Sequence, residues 1–251
     1  MRRQTEPKRP EASKSKDNPL TMDIYVASYN RHETTIVHQL LEYCTYVVRE
    51  SEADAYRSRG INVLAVEDSK INSFDKVQNW IIENAEKDVV AVLDDDISNF
   101  IYRLDKSVRI NDKETVTAEL ERMCQLVVDL DIGILGCPIV MIPYSYTSEF
   151  HLAGMIGPIR IYNREKVKGR YLPMPFFSDT DFALQEILLN RIILRPDYFG
   201  TDAKLEVNKG GMNLKRNKET QVNQAAWMNS KWGKYFKYDN NRNISYILVD
   251  R

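Results

Sequence analysis

The chain is poor in the residues that build disulfide frameworks and zinc clusters. Its 251 residues include three cysteines and three histidines. Cys44, Cys124 and Cys137 are widely spaced, odd in number and without paired metal-ligand spacing, which fits reduced thiols in the cytosol. Three scattered histidines exclude a zinc cluster of the usual type. No apolar run reaches the ~20 residues of a membrane helix, and the N-terminus lacks the apolar core of a signal peptide. These absences predict a soluble, cytoplasmic protein with no membrane partner. Oligomeric state leaves no mark in the sequence.

Net charge is also nearly absent, at -1, but its distribution is uneven. Residues 1 to 16 carry six Lys/Arg against Glu6 and Glu11, a balance of +4, and residues 204 to 251 carry ten against four acids, a balance of +6. That leaves -11 for residues 17 to 203. Basic ends on an acidic body can grip a polyanion, or they can be a polar tail and a solvated face. Residues 1–20, rich in Pro, Lys, Glu and Ser, read as a disordered basic tail.

What is present in quantity is acid at one point. Asp94, Asp95 and Asp96 directly follow the apolar run Val89-Val90-Ala91-Val92-Leu93. A buried strand ending in acids delivers them to the sheet rim where open α/β folds bind ligands. Adjacent like charges repel, so the cluster calls for a neutralising cation, and carboxylates suit Mg2+ or Mn2+ bridging to a substrate diphosphate. The competing reading is a solvated turn.

Around this point strands and helices alternate. Met22 to Ala27, Thr45 to Val48, Ile61 to Val66 and the run into Asp94 read as strands. Between them, Thr34 or Thr35 can cap a helix carrying Ile36, Val37, Leu40 and Leu41; Ala53 to Arg59 reads as a helical turn closed by Gly60, and Phe74 to Ala85 as an amphipathic helix. Such a series predicts a mostly parallel sheet covered on both faces. Further on, the sequence predicts a helix over 113–129, a strand over 132–136, an irregular excursion over 138–157, a strand over 159–163, a helix over 181–189 behind the acidic turn Ser178-Asp179-Thr180, a strand over 191–194, a flexible loop at Gly210-Gly211, a helix over 220–232 and a strand over 244–249.

A strand ending in Ser28-Tyr29-Asn30-Arg31, two strand-helix units, and a strand ending in Leu-Asp-Asp-Asp together resemble the nucleotide-sugar-dependent glycosyltransferases of the GT-A fold. The resemblance spans residues 22 to about 216 and implies a single α/β, Rossmann-like domain over 21–203, with 204–251 as a basic extension packed on it. In that family the Asp-x-Asp acids, matched here by Asp94 and Asp96 with Asp95 between them, bind the divalent metal and the donor's ribose. The helix from Lys76 to Ala85 looks like the family's Arg-Asn-x-Gly-Ile-x-x-Ala helix. Gln78 stands where Arg is usual, so Lys76 is the candidate for the diphosphate. Ser178-Asp179-Thr180-Asp181-Phe182 is similar to the acceptor-side Glu-Asp-x-Asp-Leu motif, which nominates Asp179 as general base, with Asp181 second. Both could instead cap a helix.

One branch is a closer match. Asp94 to Phe100, Glu50 and Tyr56, the Asp179/Asp181 motif and Gly210-Gly211 look like the phage-type DNA-base glycosyltransferases related to the base J glucosyltransferase. That resemblance implies transfer to the hydroxyl of a 5-hydroxymethyl pyrimidine in DNA. Ser28, Asn30 and Arg31 would lie at the nucleobase, and Glu50 could accept from a pyrimidine imide, favouring a UDP-sugar. His151 is a further metal candidate or a structural histidine. Lys215, Arg216, Lys231 and Lys234 are candidates for nucleic-acid contact, with Trp227 and Trp232 for stacking, while Trp80 reads as core. Two other readings remain: a GT-A transferase acting on a glycan, lipid or protein, and a non-catalytic nucleic-acid-binding protein.

Overall fold

A computed structural model describes residues 22–103, 106–139, 147–203 and 217–249. Its centre is a six-stranded sheet made by β1 (Met22–Ala27), β2 (Thr45–Arg49), β3 (Val63–Val66), β4 (Val89–Asp94), β7 (Ile134–Cys137) and β9 (Ile159–Asn163), in the order β3-β2-β1-β4-β9-β7. The first four strands run parallel, and β9 lies antiparallel between β4 and β7. The expected α/β architecture, a largely parallel sheet flanked by helices, is present.

Side chains of successive strand residues leave opposite faces, and both faces are covered. On one face Ile24, Val26, Ala91 and Leu93 pack with Val116, Leu120, Met123 and Val127 of α4 (Lys113–Asp129) and with Val37 of α1 (Val37–Leu40). Tyr25, Val90 and Val92 turn the other way, against Ile81 and Ile82 of α3 (Phe74–Asn84) and Phe182, Ala183 and Ile187 of α5 (Ser178–Asn190). Asp112 caps α4 by accepting from the Thr115 amide at 2.7 Å. Trp80 is packed against the second cluster, as core.

Several boundaries differ from the sequence expectation. Neither Thr34 nor Thr35 caps α1; Thr35 is buried and shares a 2.8 Å hydrogen bond with the Tyr46 hydroxyl. α5 begins at Ser178, drawing Asp179 and Asp181 into its first turn, where the helix dipole favours carboxylates. The strand expected over 191–194 is displaced to β10 (Arg195–Pro196), which pairs with β8 (Phe150–His151) inside the excursion. Residues 97–103, assigned to no element above, form β5 (Ile97–Arg103), the middle of a small antiparallel sheet with β6 (Ser107–Ile110) and β11 (Phe199–Ala203). Chain direction changes between β4 and β5 over Asp95 and Asp96, so the acids occupy the hinge between two sheets. At the C-terminal end, α2 (Ala53–Arg57) having closed earlier on Gly60 at φ +73°, the chain adds α6 (Lys218–Trp232) and a hairpin of β12 (Phe236–Asp239) with β13 (Ile244–Ile247). A third apolar cluster, Met174, Leu184, Met228 and Phe236, joins this segment to α5.

Candidate active site

β1, β2 and β4 end together at the carboxyl rim, since Ala27 pairs with Asp94 on one side and with Val47 on the other. The rim therefore gathers residues 28–31, 49–52 and 94–96, and β9 enters it from the opposite direction at Ile159 and Arg160. Asp95 is the buried member of the acid triplet. It accepts from Ser28 Oγ at 2.6 Å and Arg31 Nη1 at 2.5 Å, and burial pushes its carboxyl up to about 6 against the pull of Arg31. Asp96 is also raised by burial, reinforced by Asp94, while Arg31 at 3.2 Å opposes the shift. Burial alone would weaken proton binding by Arg31, but Asp95 and Asp96 outweigh it and the guanidinium is raised.

Asp94 is served from the other side. Arg160, 2 % exposed, donates from Nη1 to Asp94 Oδ1 at 2.7 Å and from Nη2 to Asp94 Oδ2 at 3.4 Å. The same Nη2 lies 3.5 Å from Asp179 Oδ1. One buried guanidinium thus links an acid of the β4 turn to an acid of α5, and its face lies over the Phe74 ring at 5.3 Å from the centroid. The side chains of Asp94 and Asp179 are 31 % and 38 % exposed, so both reach solvent at the rim while the buried Arg160 bridges them. Arg31 and Arg160 supply positive charge to the acid cluster from within the fold, a contribution that the sequence expectation of a neutralising metal did not include.

Among the described residues no three His, Cys, Asp or Glu side chains converge into a metal cage. The arrangement still fits Mg2+ or Mn2+, which bind through one or two carboxylates and fill the remaining positions with water and substrate phosphate. Asp94 and Asp96, both partly exposed beside the turn, are the carboxylates for that role. His151 does not join them. Its Nε2 lies 3.0 Å from Asp197 Oδ2 and within 3.3 to 3.4 Å of the Ser148 and Thr147 hydroxyls, in the β8–β10 region.

The other candidates separate into rim and non-rim groups. Ser28 and Arg31 are at the turn, tied to Asp95 and to Tyr56, whose hydroxyl meets Ser28 Oγ at 2.7 Å and accepts from the Arg31 amide at 3.1 Å. Asn30, in the left-handed region at φ +53°, gives its amide to Glu52 Oε2 at 2.6 Å. Glu52 rather than the exposed Glu50 is therefore the carboxylate that reaches the first turn. Gln78 is fully buried, accepting from Tyr162 at 3.3 Å, and so faces the core, not a diphosphate. Lys76 is exposed and donates to the Ser69 carbonyl at 3.2 Å.

Asp181 differs sharply from Asp179. It is 0 % exposed and takes Lys231 Nζ and Trp232 Nε1 on Oδ1 and Gln185 Nε2 on Oδ2, each at 2.7 Å. Its acceptor sites serve these donors, and Lys231 and Trp232 point inward rather than toward a polyanion. Lys234 is exposed beside Tyr235, and Trp227 is 42 % exposed. Lys215, Arg216, Gly210 and Gly211 lie outside the described residues.

Sequence reasoning passes over Arg160 and Glu52. The one signal for Arg160 is a lone charge in the otherwise apolar strand Ile159-Arg160-Ile161-Tyr162. Glu52 carries none, since only the fold turns it toward Asn30.

No family model matches this chain, and no curated protein does. Solved structures do. A mycobacterial protein aligns with TM-score 0.52 at 10 % identity, over 90 % of this chain and 82 % of that one, a likeness of fold. TarS residues 1–349 from S. aureus align with TM-score 0.46 at 15 % identity over 73 % of this chain; the chain spans 60 % of that structure's length. Glucosyl-3-phosphoglycerate synthase from Mycobacterium tuberculosis, in complex with Mg2+ and UDP, aligns with TM-score 0.47 at 12 % identity over 92 % and 90 % of the two chains.

Proposed function

We propose that the protein is a GT-A-type glycosyltransferase that moves a sugar from a nucleotide-sugar, a UDP-sugar by preference, to the hydroxyl of a 5-hydroxymethyl pyrimidine in DNA. The observation that carries the reading is the junction at the rim: partly exposed Asp94 and Asp179, from different parts of the chain, are linked through one buried arginine. A purely structural acid cluster would have no need to keep two carboxylates solvent-accessible on either side of one buried guanidinium.

In this reading Ser28, Arg31 and Tyr56 line the donor side, and Asp94 and Asp96 hold a divalent ion together with the donor diphosphate. That ion would supply charge stabilisation to the leaving diphosphate. Asp179 accepts the proton of the acceptor hydroxyl while its oxygen bonds to the anomeric carbon and the bond from that carbon to the diphosphate breaks. Arg160 keeps Asp94 and Asp179 at a fixed spacing. The basic ends, +4 over residues 1 to 16 and +6 over 204 to 251, support a polyanionic acceptor.

The test is incubation with a panel of nucleotide-sugars, Mn2+ and oligonucleotides containing 5-hydroxymethyluracil or 5-hydroxymethylcytosine, read by mass. A gain of one sugar on the modified base only is the expected result. Donor-dependent thermal stabilisation without transfer to any DNA would move the acceptor to a glycan, lipid or protein. Neither transfer nor a donor effect would leave the non-catalytic reading.

A further inference from the structure

Asp179 is flanked on both sides by residues that the C-terminal segment holds. Before it, the Phe176 amide donates to Gln224 Oε1 at 3.0 Å, and the Phe177 ring meets Phe236 and Tyr238 edge-on at 5.5 and 5.0 Å. After it, the Thr180 and Ser245 hydroxyls share a 3.0 Å hydrogen bond, and Asp181 receives Lys231 and Trp232. Phe177 sits in the left-handed region at φ +34°, immediately before the first helical residue of α5. A bulky residue there is strained by about 1 kcal/mol or more and persists only where its surroundings enforce it. The surroundings that do so are the two aromatic rings of β12.

We infer that α6 and the β12–β13 hairpin form a clamp that sets the position of Asp179, with Phe177, Asp181, Lys231 and Trp232 as positioning residues. The inference rests on the reading of Asp179 as the proton acceptor. Asp181 therefore serves the reaction through its neighbours: a buried carboxylate must be matched by donors, and while Gln185 of α5 serves its Oδ2, both donors on its Oδ1 belong to α6. Lys231 Nζ is engaged by the buried Asp181 carboxylate at 2.7 Å although the residue itself is exposed, which sets it apart from lysines with no such partner.

The full-length variants Lys231→Met, Trp232→Phe and their combination test the clamp. Each single variant removes one donor to Asp181, and the combination removes both. In the double variant, amide exchange over residues 177–182 should quicken about ten-fold or more, with exchange in β1 and β4 unchanged. Turnover should fall at least about ten-fold, while the Kd for nucleotide-sugar stays within about two-fold of wild type. Lys231→Arg, which keeps the charge, should retain most of the turnover. A clamp with no bearing on the reaction would leave turnover untouched although exchange quickens, and unchanged exchange would show there is no clamp; either result overturns the inference. Should the double variant not fold, Thr180→Val, which deletes the hydroxyl's bond to Ser245 and its weaker contact with Met155 Sδ, carries the same readouts. If the wild-type protein transfers sugar to no acceptor, the proposed function fails, while the exchange measurement still decides whether the segment holds α5.

Discussion

Arg160 and Asp94 form a two-pronged pair, at 2.7 and 3.4 Å, between neighbouring strands of the central sheet, with the arginine almost wholly buried and the aspartate open to the cleft. The asymmetry in exposure decides which partner is costlier to remove. Asp94→Ala leaves a buried guanidinium with only Asp179 near it, whereas Arg160→Met leaves carboxylates that water can solvate. Denaturant unfolding should show a loss of about 3 kcal/mol for Asp94→Ala and a smaller loss for Arg160→Met. The reverse order would mean that Asp94, not Arg160, is the desolvated member.

Asp96→Ala should abolish metal-dependent donor binding and leave the fold intact. The change removes a partly exposed carboxylate from a crowded acid turn and opens no core cavity. Calorimetry with Mn2+ and a nucleoside diphosphate, alongside a thermal melt, checks both halves. Donor binding equal to wild type would remove Asp96 from the site.

The two acids of α5 should separate cleanly. Asp179→Asn is expected to lower turnover at least ~100-fold with donor affinity nearly unchanged, because only proton removal is lost. Asp181→Asn should instead cost about 2 kcal/mol of stability, since Lys231 and Trp232 lose an anionic acceptor in a buried position. Turnover and unfolding curves for both variants settle the matter. If Asp181→Asn shows the catalytic pattern on a fully stable fold and Asp179→Asn does not, the assignment is inverted.

The thiols should be quiet. Burial pushes Cys44 up to about 12, and Cys124 and Cys137 are raised further for the same reason, so at pH 8 the thiolate of Cys44 is roughly a thousandth of that of an unperturbed thiol. Iodoacetamide at pH 8 should label none of the three on the native protein within the time that labels all three in denaturant. Rapid native labelling of the half-buried Cys44 would contradict the upward shift of its thiol.

Binding to duplex DNA carrying a hydroxymethylated pyrimidine should weaken steeply with salt. Replacing Lys215 and Arg216 by Ala should flatten the salt slope by ~1 unit for each phosphate that is no longer neutralised. Lys231→Met should leave that slope unchanged, because its charge is turned inward to Asp181. A salt slope near zero for the wild type would argue against a nucleic-acid acceptor.

The strand-helix alternation from β1 to α3, the acids at the end of β4 and the helix of 113–129 were legible because their signals are local: apolar runs, apolar residues at helical spacing, Gly60 as a stop. The small sheet was not, because β5 pairs with β11 about a hundred residues later and no feature of Ile97–Arg103 announces that partner. The candidate site divided along the same line. Asp94 to Asp96 could be nominated from their place after a buried strand, and Ser28, Arg31 and Asp179 from the resemblance to the GT-A motifs. That Asp181 answers to Lys231 and Trp232, that Gln78 turns inward to Tyr162, and that His151 lies with Asp197 are facts of tertiary pairing. Arginine neutralisation of the acid turn belongs with them, since Arg160 reaches Asp94 from 66 positions away.

The antiparallel insertion of β9 between β4 and β7 also bears on how the molecule is made. Synthesis completes β4 at Asp94, but the strand that covers its second hydrogen-bonding edge begins only at Ile159. Until then the ribosome-tethered chain carries a strand, apolar from Val89 to Leu93, with one open edge, the kind of surface on which chains pair with one another. Arg160 arrives with β9, so edge protection and charge neutralisation of Asp94 come in the same step. Slow entry of that one strand would prolong the exposure of the β4 edge.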